Sequence, residues 1–142
     1  MATLKISDLS VGDWVRYRDI NGKIERLGVV GDEERLSIAV ESDIGTKYQF
    51  LYIENIEPIP ITAEILEKNG VFRHERDDDN QELIVLSNHF IMARTYTDVD
   101  WWRVLIYDEE LPSKELFNGI IYSVHQLQHA IRLAGHDKEI NL

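Results

Sequence analysis

Apolar and polar residues alternate in short runs along the first 60 positions of the chain. The clearest run is "RLSIAVE", in which Leu36, Ile38 and Val40 take every second position. Such alternation predicts a β-strand with one buried face and one exposed face. Comparable runs recur about every ten residues, a spacing typical of small all-β domains. They are "WVRYR", "KIERLGVV" and "KYQFLYI". We therefore predict a small antiparallel β-barrel of the SH3-like type.

Turn residues separate these runs. "DING" places Asn21 and Gly22 between the first two strands, and Asn-Gly strongly favours a two-residue hairpin turn. The stretches "GDEE" and "SDIGT" predict the next two turns. The opening "LSVGDWV" predicts a tight turn at Gly12 and Asp13 that leads the chain into its first strand.

The pattern changes at "IEPIPIT". Pro58 and Pro60 disfavour helix at the residues before them and cannot donate a hydrogen bond to a sheet, so they predict an extended linker. Thr62 is a suitable N-cap for a short helix over 63–69, which Gly70 would end. We therefore predict an SH3-like β-barrel at 1–60 and an α+β unit at 61–142.

The second unit begins with this helix and ends with another. Four strands are predicted between them, followed by a hairpin with Asn118 and Gly119 at its turn; the strand sequences are "VFRHER", "ELIVLS", "HFIMARTY" and "WWRVLIY". Ser123 and Gln126 form a capping-box pattern at the start of the last helix, and Gly135 suits its end. The fold class predicted for the whole chain is α+β, with an antiparallel sheet flanked by two helices after the barrel.

Composition excludes several kinds of chemistry. The 142 residues include no cysteine, so disulfides, a thiolate nucleophile and cysteine-ligated zinc are excluded. The net charge of −11 disfavours nucleic acid and favours a basic protein partner. No apolar run is long enough to span a membrane, and the N-terminus lacks a secretory signal, so we expect a cytoplasmic protein.

The last helix contains the most specific candidate for a metal site. His125 and His129 are four residues apart, the spacing at which two histidines of a helix bind one metal ion. Gln126 follows His125, where metalloproteases of this pattern have a glutamate base, and no third ligand is fixed by the sequence. We expect both histidines on the flanking face of an amphipathic helix whose buried stripe includes Val124, Leu127 and Ile131, with no metal and no cofactor. The alternative is a small metal-dependent hydrolase that uses the histidine pair.

Aromatic residues are the candidates for a binding surface. Several of them lie in the predicted barrel, where such residues line a groove for peptides or cations, or pack as core and rim. "DVDWW" places two tryptophans on opposite faces of one strand, so one of them is expected at an interface. The candidate binding residues are Trp14, Tyr17, Tyr48, Tyr52 and Trp101. The sequence has no nucleophile-elbow motif and no phosphate-binding loop, so we expect no enzyme.

Two stretches resemble a known group of proteins. "IEPIPITAEILEKNGV" and "YSVHQLQHAIRLAGHDKEI" are similar to the linker and the C-terminal helix of small uncharacterised proteins from Bacteroidetes genomes, often found in phage or mobile-element regions. The chain departs from that pattern at His129, where the group has Asn, and at Ala134, where it has Thr. The resemblance supports the predicted fold and a cytosolic origin, and the group has no established activity to carry over. The predicted SH3-like barrel, the acidic charge and the missing catalytic motifs favour an accessory protein that a mobile element could encode. The predicted function is a non-catalytic interaction module.

Overall fold

Two compact units make up the chain. The computed structural model describes residues 4–69, 73–76, 82–87, 89–94, 101–111 and 114–142. Backbone contacts divide the chain into Met1–Ile59 and Pro60–Leu142, next to the prolines at which the sequence pattern changes. Each unit contains an antiparallel sheet, and the described part of the second unit also contains two α-helices, so the α+β class is confirmed. The predicted helix end at Gly70 lies outside the described residues.

The first unit is a four-stranded sheet in chain order. Its strands are β1 (Trp14–Tyr17), β2 (Ile20–Val30), β3 (Glu33–Ser42) and β4 (Gly45–Tyr52), each antiparallel to the next. The turn predicted before β1 is present, because Gly12 has a φ of 94° and the Ser10 amide donates to an Asp13 carboxylate oxygen at 2.8 Å. Within the described residues 4–69, β1 and β4 do not pair, so the sheet is open.

One side of this sheet forms the core of the first unit. Leu36 and Ile38 are buried there and Val40 packs against them, as the alternation predicts. The core residues are Leu9, Val15, Ile24, Leu36, Ile38, Leu51 and Ile56. A β-bulge at Glu25 interrupts the β2–β3 register, and it lets both Ile24 and Leu27 face the core although they are three positions apart.

The first hairpin turn is not where the Asn-Gly pair predicts it. Arg18 and Asp19 form the turn, with φ values of 45° and 65°, and Asn21 and Gly22 lie inside β2. Asn21 lies opposite Arg16 and accepts a hydrogen bond from its Nε at 3.0 Å. This prediction was wrong because the cross-strand contacts of Asn21 and Gly22 determine their position, and not their turn propensity alone.

Gly22 is needed for packing rather than for a turn. A Cβ at this position would lie 2.9 Å from Ile38 Cδ1 and 3.1 Å from Ile38 Cβ, whereas a Cβ at Gly28 would meet nothing within 4 Å. We expect Gly22→Ala to lower the free energy of unfolding by about 1–3 kcal/mol through overpacking. The control is Gly28→Ala, which changes another glycine of the same strand and should leave the free energy of unfolding nearly unchanged. Urea denaturation of both variants measures the difference, and equal effects would contradict the packing role of Gly22.

The second unit places a five-stranded sheet between two helices in the chain. Its elements are α1 (Ala63–Lys68), β5 (Arg73–Arg76), β6 (Glu82–Ser87), β7 (Phe90–Arg94), β8 (Trp102–Tyr107), β9 (Glu115–Ile121) and α2 (Val124–Leu133). The strands are antiparallel and follow chain order. Alternate residues of the central strands are buried, among them Met92, Val104 and Ile106.

The predicted hairpin at Asn118 and Gly119 is also wrong. Both residues lie within β9 and pair with Leu105 and Val104 of β8. The ring of Phe117 covers Gly119 so closely that a Cβ there would lie 2.6 Å from Phe117 Cζ. The glycine makes room for an aromatic ring on the strand, a use of glycine that turn statistics do not reveal.

Both helices begin where the sequence predicts. Thr62 Oγ1 accepts the Ile65 amide at 3.3 Å at the start of α1, and the Gln126 side chain accepts the Ser123 amide at 3.3 Å at the start of α2. Gly135, with a φ of 80°, follows α2. The C-cap of α1, Asn69, exchanges two hydrogen bonds with the backbone of Asn141, which fixes the end of this helix to the C-terminal segment.

Candidate functional site

The face of the first sheet opposite its core carries most of the exposed aromatic side chains of that unit. We call it the outer face. Directly opposed residues of neighbouring strands lie on the same side of a sheet, so the register defines three rows across this face. The rows are Trp14–Lys23–Ala39–Tyr48, Arg26–Ser37–Phe50 and Gly28–Arg35–Tyr52.

Three aromatic residues of β4 line up on the outer face. Tyr48, Phe50 and Tyr52 are 57%, 80% and 41% exposed. They occupy alternate positions of the strand, and Leu51 between them is buried in the core. Exposed apolar side chains grouped in this way are unusual on a monomeric surface and mark a candidate interaction site.

A shallow groove of about 500 Å³ runs along the outer face between β2 and β4. Gly28 leaves open space in this part of the face, since a Cβ there would touch nothing within 4 Å. The exposed side chains that line the groove are Arg26, Val30, Arg35, Phe50 and Tyr52. Its size is within the range of pockets that bind small molecules or single side chains.

Arg35 is the most constrained cation of the groove. Its Nη2 donates to Glu33 Oε2 at 2.6 Å and to Tyr52 Oη at 3.3 Å, and its guanidinium lies 4.8 Å from the Tyr52 ring centroid. The hydrogen bond to Glu33 raises the pKa of Arg35 above its ordinary value. The guanidinium is therefore a fixed positive charge stacked on an aromatic wall.

Carboxylates also border the groove. Ser37 is buried beneath the outer face and donates to Glu25 Oε2 at 2.9 Å, and Glu25 Oε1 lies 3.7 Å from Arg26 Nε. Glu33 contributes the second carboxylate through its contact with Arg35. The groove thus combines an apolar and aromatic surface with charges of both signs at its rim.

The candidate binding residues lie in three different places. Trp14, Tyr48 and Tyr52 share the outer face, with Lys23 Nζ 5.3 Å from the Trp14 ring. Tyr17 faces the other way and packs against the core of the first unit. Trp101 belongs to the second unit and is half-buried immediately before β8.

Of the residues that line the groove, only Tyr52 was among the sequence-based candidates, so Arg26, Gly28, Val30, Arg35 and Phe50 were all missing. The alternation of β4 could have identified Phe50, since it falls in phase with Tyr48 and Tyr52. The groove residues of β2 could not be found, because the bulge at Glu25 sets which residues of that strand face outward.

The histidine pair is not on an exposed helix face. His125 is only 3% exposed, and its Nδ1 lies 3.0 Å from Ser123 Oγ, so the expected flanking position is wrong for this residue. His129 is half-buried, and its ring contacts that of His125 edge to face at 5.9 Å. His125 and the fully buried Val124 both lie in the first turn of α2.

A second polar cluster, which sequence reasoning missed, lies at the β6–β7 turn. Ser87 Oγ is 3.0 Å from His89 Nδ1 and 3.1 Å from His136 Nε2, and the two rings stack at 4.8 Å. Glu109 Oε1 approaches His89 Nε2 at 3.3 Å without the alignment of a hydrogen bond, which leaves this buried nitrogen unsatisfied among the described residues. Ser87 and His89 are two residues apart, whereas His136 lies 49 residues after Ser87 in the chain.

In the part of the chain that the structure describes, neither histidine cluster has the arrangement of a metal centre. The described residues contain no group of three or more histidine, aspartate or glutamate side chains placed to hold one metal ion. In the same residues, no helix is long and apolar enough to cross a membrane.

Comparison with known proteins adds no further assignment. No protein-family model, no curated protein and no solved structure matches this chain.

Proposed function

We propose that this protein is a non-catalytic interaction module that binds a segment of a partner protein in the groove of the outer face. The groove itself carries this proposal: an open site of about 500 Å³ with Phe50 and Tyr52 at its side and Gly28 leaving space within it. A partner side chain of apolar or aromatic character fits the space above Gly28. Arg35 and Glu33 at the rim offer charges of both signs to the polar groups beside it.

Long-range electrostatics favour a basic partner. The net charge of −11 attracts positively charged proteins and repels nucleic acid. Glu25 and Glu33 at the groove supply carboxylates that lysine or arginine side chains of such a partner can contact. With the resemblance to mobile-element proteins, these features support a cytoplasmic accessory protein as the biological setting.

We also propose that the first sheet belongs to an SH3-like barrel. A 3₁₀ turn over Ile53–Asn55 follows β4, and the chain then returns to β1, where Arg16 and Glu57 exchange two backbone hydrogen bonds of 2.9 Å. This return past the first strand supports the SH3-like assignment, since it begins to close the open side of the sheet. The alternative function, a metal-dependent hydrolase at His125 and His129, has less support because His125 is buried against Ser123.

The groove can be tested without knowing the natural partner. Random peptides displayed on phage are selected against the intact chain, and their affinities are measured by isothermal titration. We expect Gly28→Leu, which fills the groove from a position with open space above it, to weaken the selected peptides at least tenfold. Phe50→Ala should weaken them similarly, whereas Ile44→Ala, which changes an 85% exposed residue of the β3–β4 turn, should not.

Weaker peptide binding by both groove variants, with Ile44→Ala unaffected, would support the groove as the binding site. Selected peptides that bind Gly28→Leu and Phe50→Ala as tightly as the unaltered chain would refute the groove, as would repeated failure to select any peptide.

A further inference from the structure

The free edge of β4 is a separate feature of the first unit. Among the described strands, β4 pairs with β3 alone, through an unbroken register from Arg35–Tyr52 to Ser42–Gly45. In an antiparallel ladder, every second residue of an edge strand directs its N–H and C=O groups away from its neighbour. The other edge of the sheet differs, because Glu57 pairs with Arg16 of β1 through two backbone hydrogen bonds.

The edge of β4 has only one of the usual features that prevent strand pairing, a single charged residue. Natural edge strands are short, or carry charges, prolines or bulges. β4 is eight residues long, contains Lys47 as its one charged residue, and has neither a proline nor a register shift against β3. Residues 45–50 are all exposed. Such an edge is suited to the addition of another strand.

We infer that β4 pairs with β4 of a second copy of this chain, antiparallel and centred on Gln49. A two-fold axis perpendicular to the sheet through Gln49 keeps the outer faces of both copies on the same side. It places Tyr48 opposite the partner's Phe50, and Phe50 opposite the partner's Tyr48. The two four-stranded sheets then form one continuous sheet.

The sequence of β4 is self-complementary in this register. Aromatic pairs directly opposite each other stabilise antiparallel strands by roughly 0.2–1 kcal/mol each relative to alanine pairs. Lys47 lies opposite the partner's Leu51, so the two Lys47 residues of the dimer are not directly opposed. A register centred on Lys47 would oppose two like charges, and one centred beyond Phe50 would lose the Tyr48–Phe50 pairs and shorten the ladder.

The expected dimer is weak. An aromatic side chain has roughly 150–250 Å² of surface to bury, so the exposed parts of Tyr48 and Phe50 in two copies amount to several hundred Å². The paired backbones add to this area, but the total stays near the lower limit of about 1,200 Å² for specific interfaces. We therefore expect dissociation in the micromolar range rather than an obligate dimer.

Single cysteines test both the pairing and its register, because the natural chain has none. In Gln49→Cys, the two cysteines would be directly opposed with Cα atoms about 4.5–5.5 Å apart, within disulfide range. In the control Thr46→Cys, an equally exposed site on the same strand, the two cysteines would be six positions apart, roughly 20 Å. After mild oxidation, we expect a covalent dimer from Gln49→Cys and none above background from Thr46→Cys.

Sedimentation equilibrium of the intact chain gives a second readout that needs no cross-link. Gln49→Lys and Gln49→Glu should each weaken the dimer at least tenfold by opposing like charges, and an equimolar mixture of the two should restore it. Gly28→Leu should leave it unchanged, which separates this inference from the groove. A chain that stays monomeric at several hundred micromolar, or cysteines that cross-link equally at both sites, would overturn the inference.

Discussion

Leu127→Ala is expected to lower the free energy of unfolding by about 2–5 kcal/mol, the range for truncation of a leucine in a packed core. Leu127 is 0% exposed, as are Val124 and Ile131 on the same side of α2. The variant loses the transfer free energy of the buried atoms and leaves a cavity that the surrounding core fills only in part. Urea denaturation followed by circular dichroism measures the loss.

His129→Asn is the matched control on the same helix. His129 is half-buried, and its ring contacts that of His125 edge to face at 5.9 Å. We expect a smaller cost than that of Leu127→Ala, because a half-buried side chain loses less buried surface than a fully buried leucine. A loss as large as that of Leu127→Ala would show that His129 is an essential group, and a functional role for the histidine pair would then have to be reconsidered.

Glu82→Ala is the second variant with a large expected effect. Glu82 Oε2 accepts from Arg94 Nε at 2.7 Å, and the two side chains are 9% and 12% exposed. The Arg94 guanidinium also lies 4.2 Å from the ring of Trp102, which is buried. Removal of the carboxylate breaks a buried ion pair, and breaking such a pair costs about 3–5 kcal/mol.

Two comparisons identify the cause of this effect. Glu33→Ala removes a carboxylate from an Arg–Glu pair of similar geometry, 2.6 Å from Arg35, but both of these side chains are exposed, so we expect a much smaller loss. Replacing Glu82 and Arg94 together by Leu and Met should recover much of the stability, because no unpaired charge remains. Equal losses in Glu82→Ala and Glu33→Ala would contradict the role of burial.

The sequence pattern predicted those strands and helix starts that depend on residues close together in the chain. The alternation in "RLSIAVE" identified β3, because a strand that is buried on one side must repeat with a period of two. Thr62 and Ser123 identified the starts of both helices, because only a few kinds of side chain can accept a hydrogen bond from the unpaired N–H groups of a first turn. These are constraints between residues that are close in sequence, so the sequence alone is enough to reveal them.

Contacts between residues distant in the chain determined where the two Asn-Gly pairs lie. Asn21-Gly22 and Asn118-Gly119 suit a hairpin turn by themselves, yet both lie within strands, since Ile38 and Phe117 fill the space beside the glycines. Intrinsic strand preferences span only about 1 kcal/mol, so side-chain packing across strands can place such residues within a strand.

The candidate site also depends partly on local sequence pattern and partly on tertiary contacts. The sequence by itself determined that β4 would present Tyr48, Phe50 and Tyr52 on one side, since they alternate with the buried Leu51. Only the tertiary structure brought Gly28 and Arg35 beside them, because a bulge in β2 and the register of three strands set which side chains meet. Burial of His125 was decided in the same way. A residue's exposure depends on what packs over it, and that neighbour is usually distant in the chain.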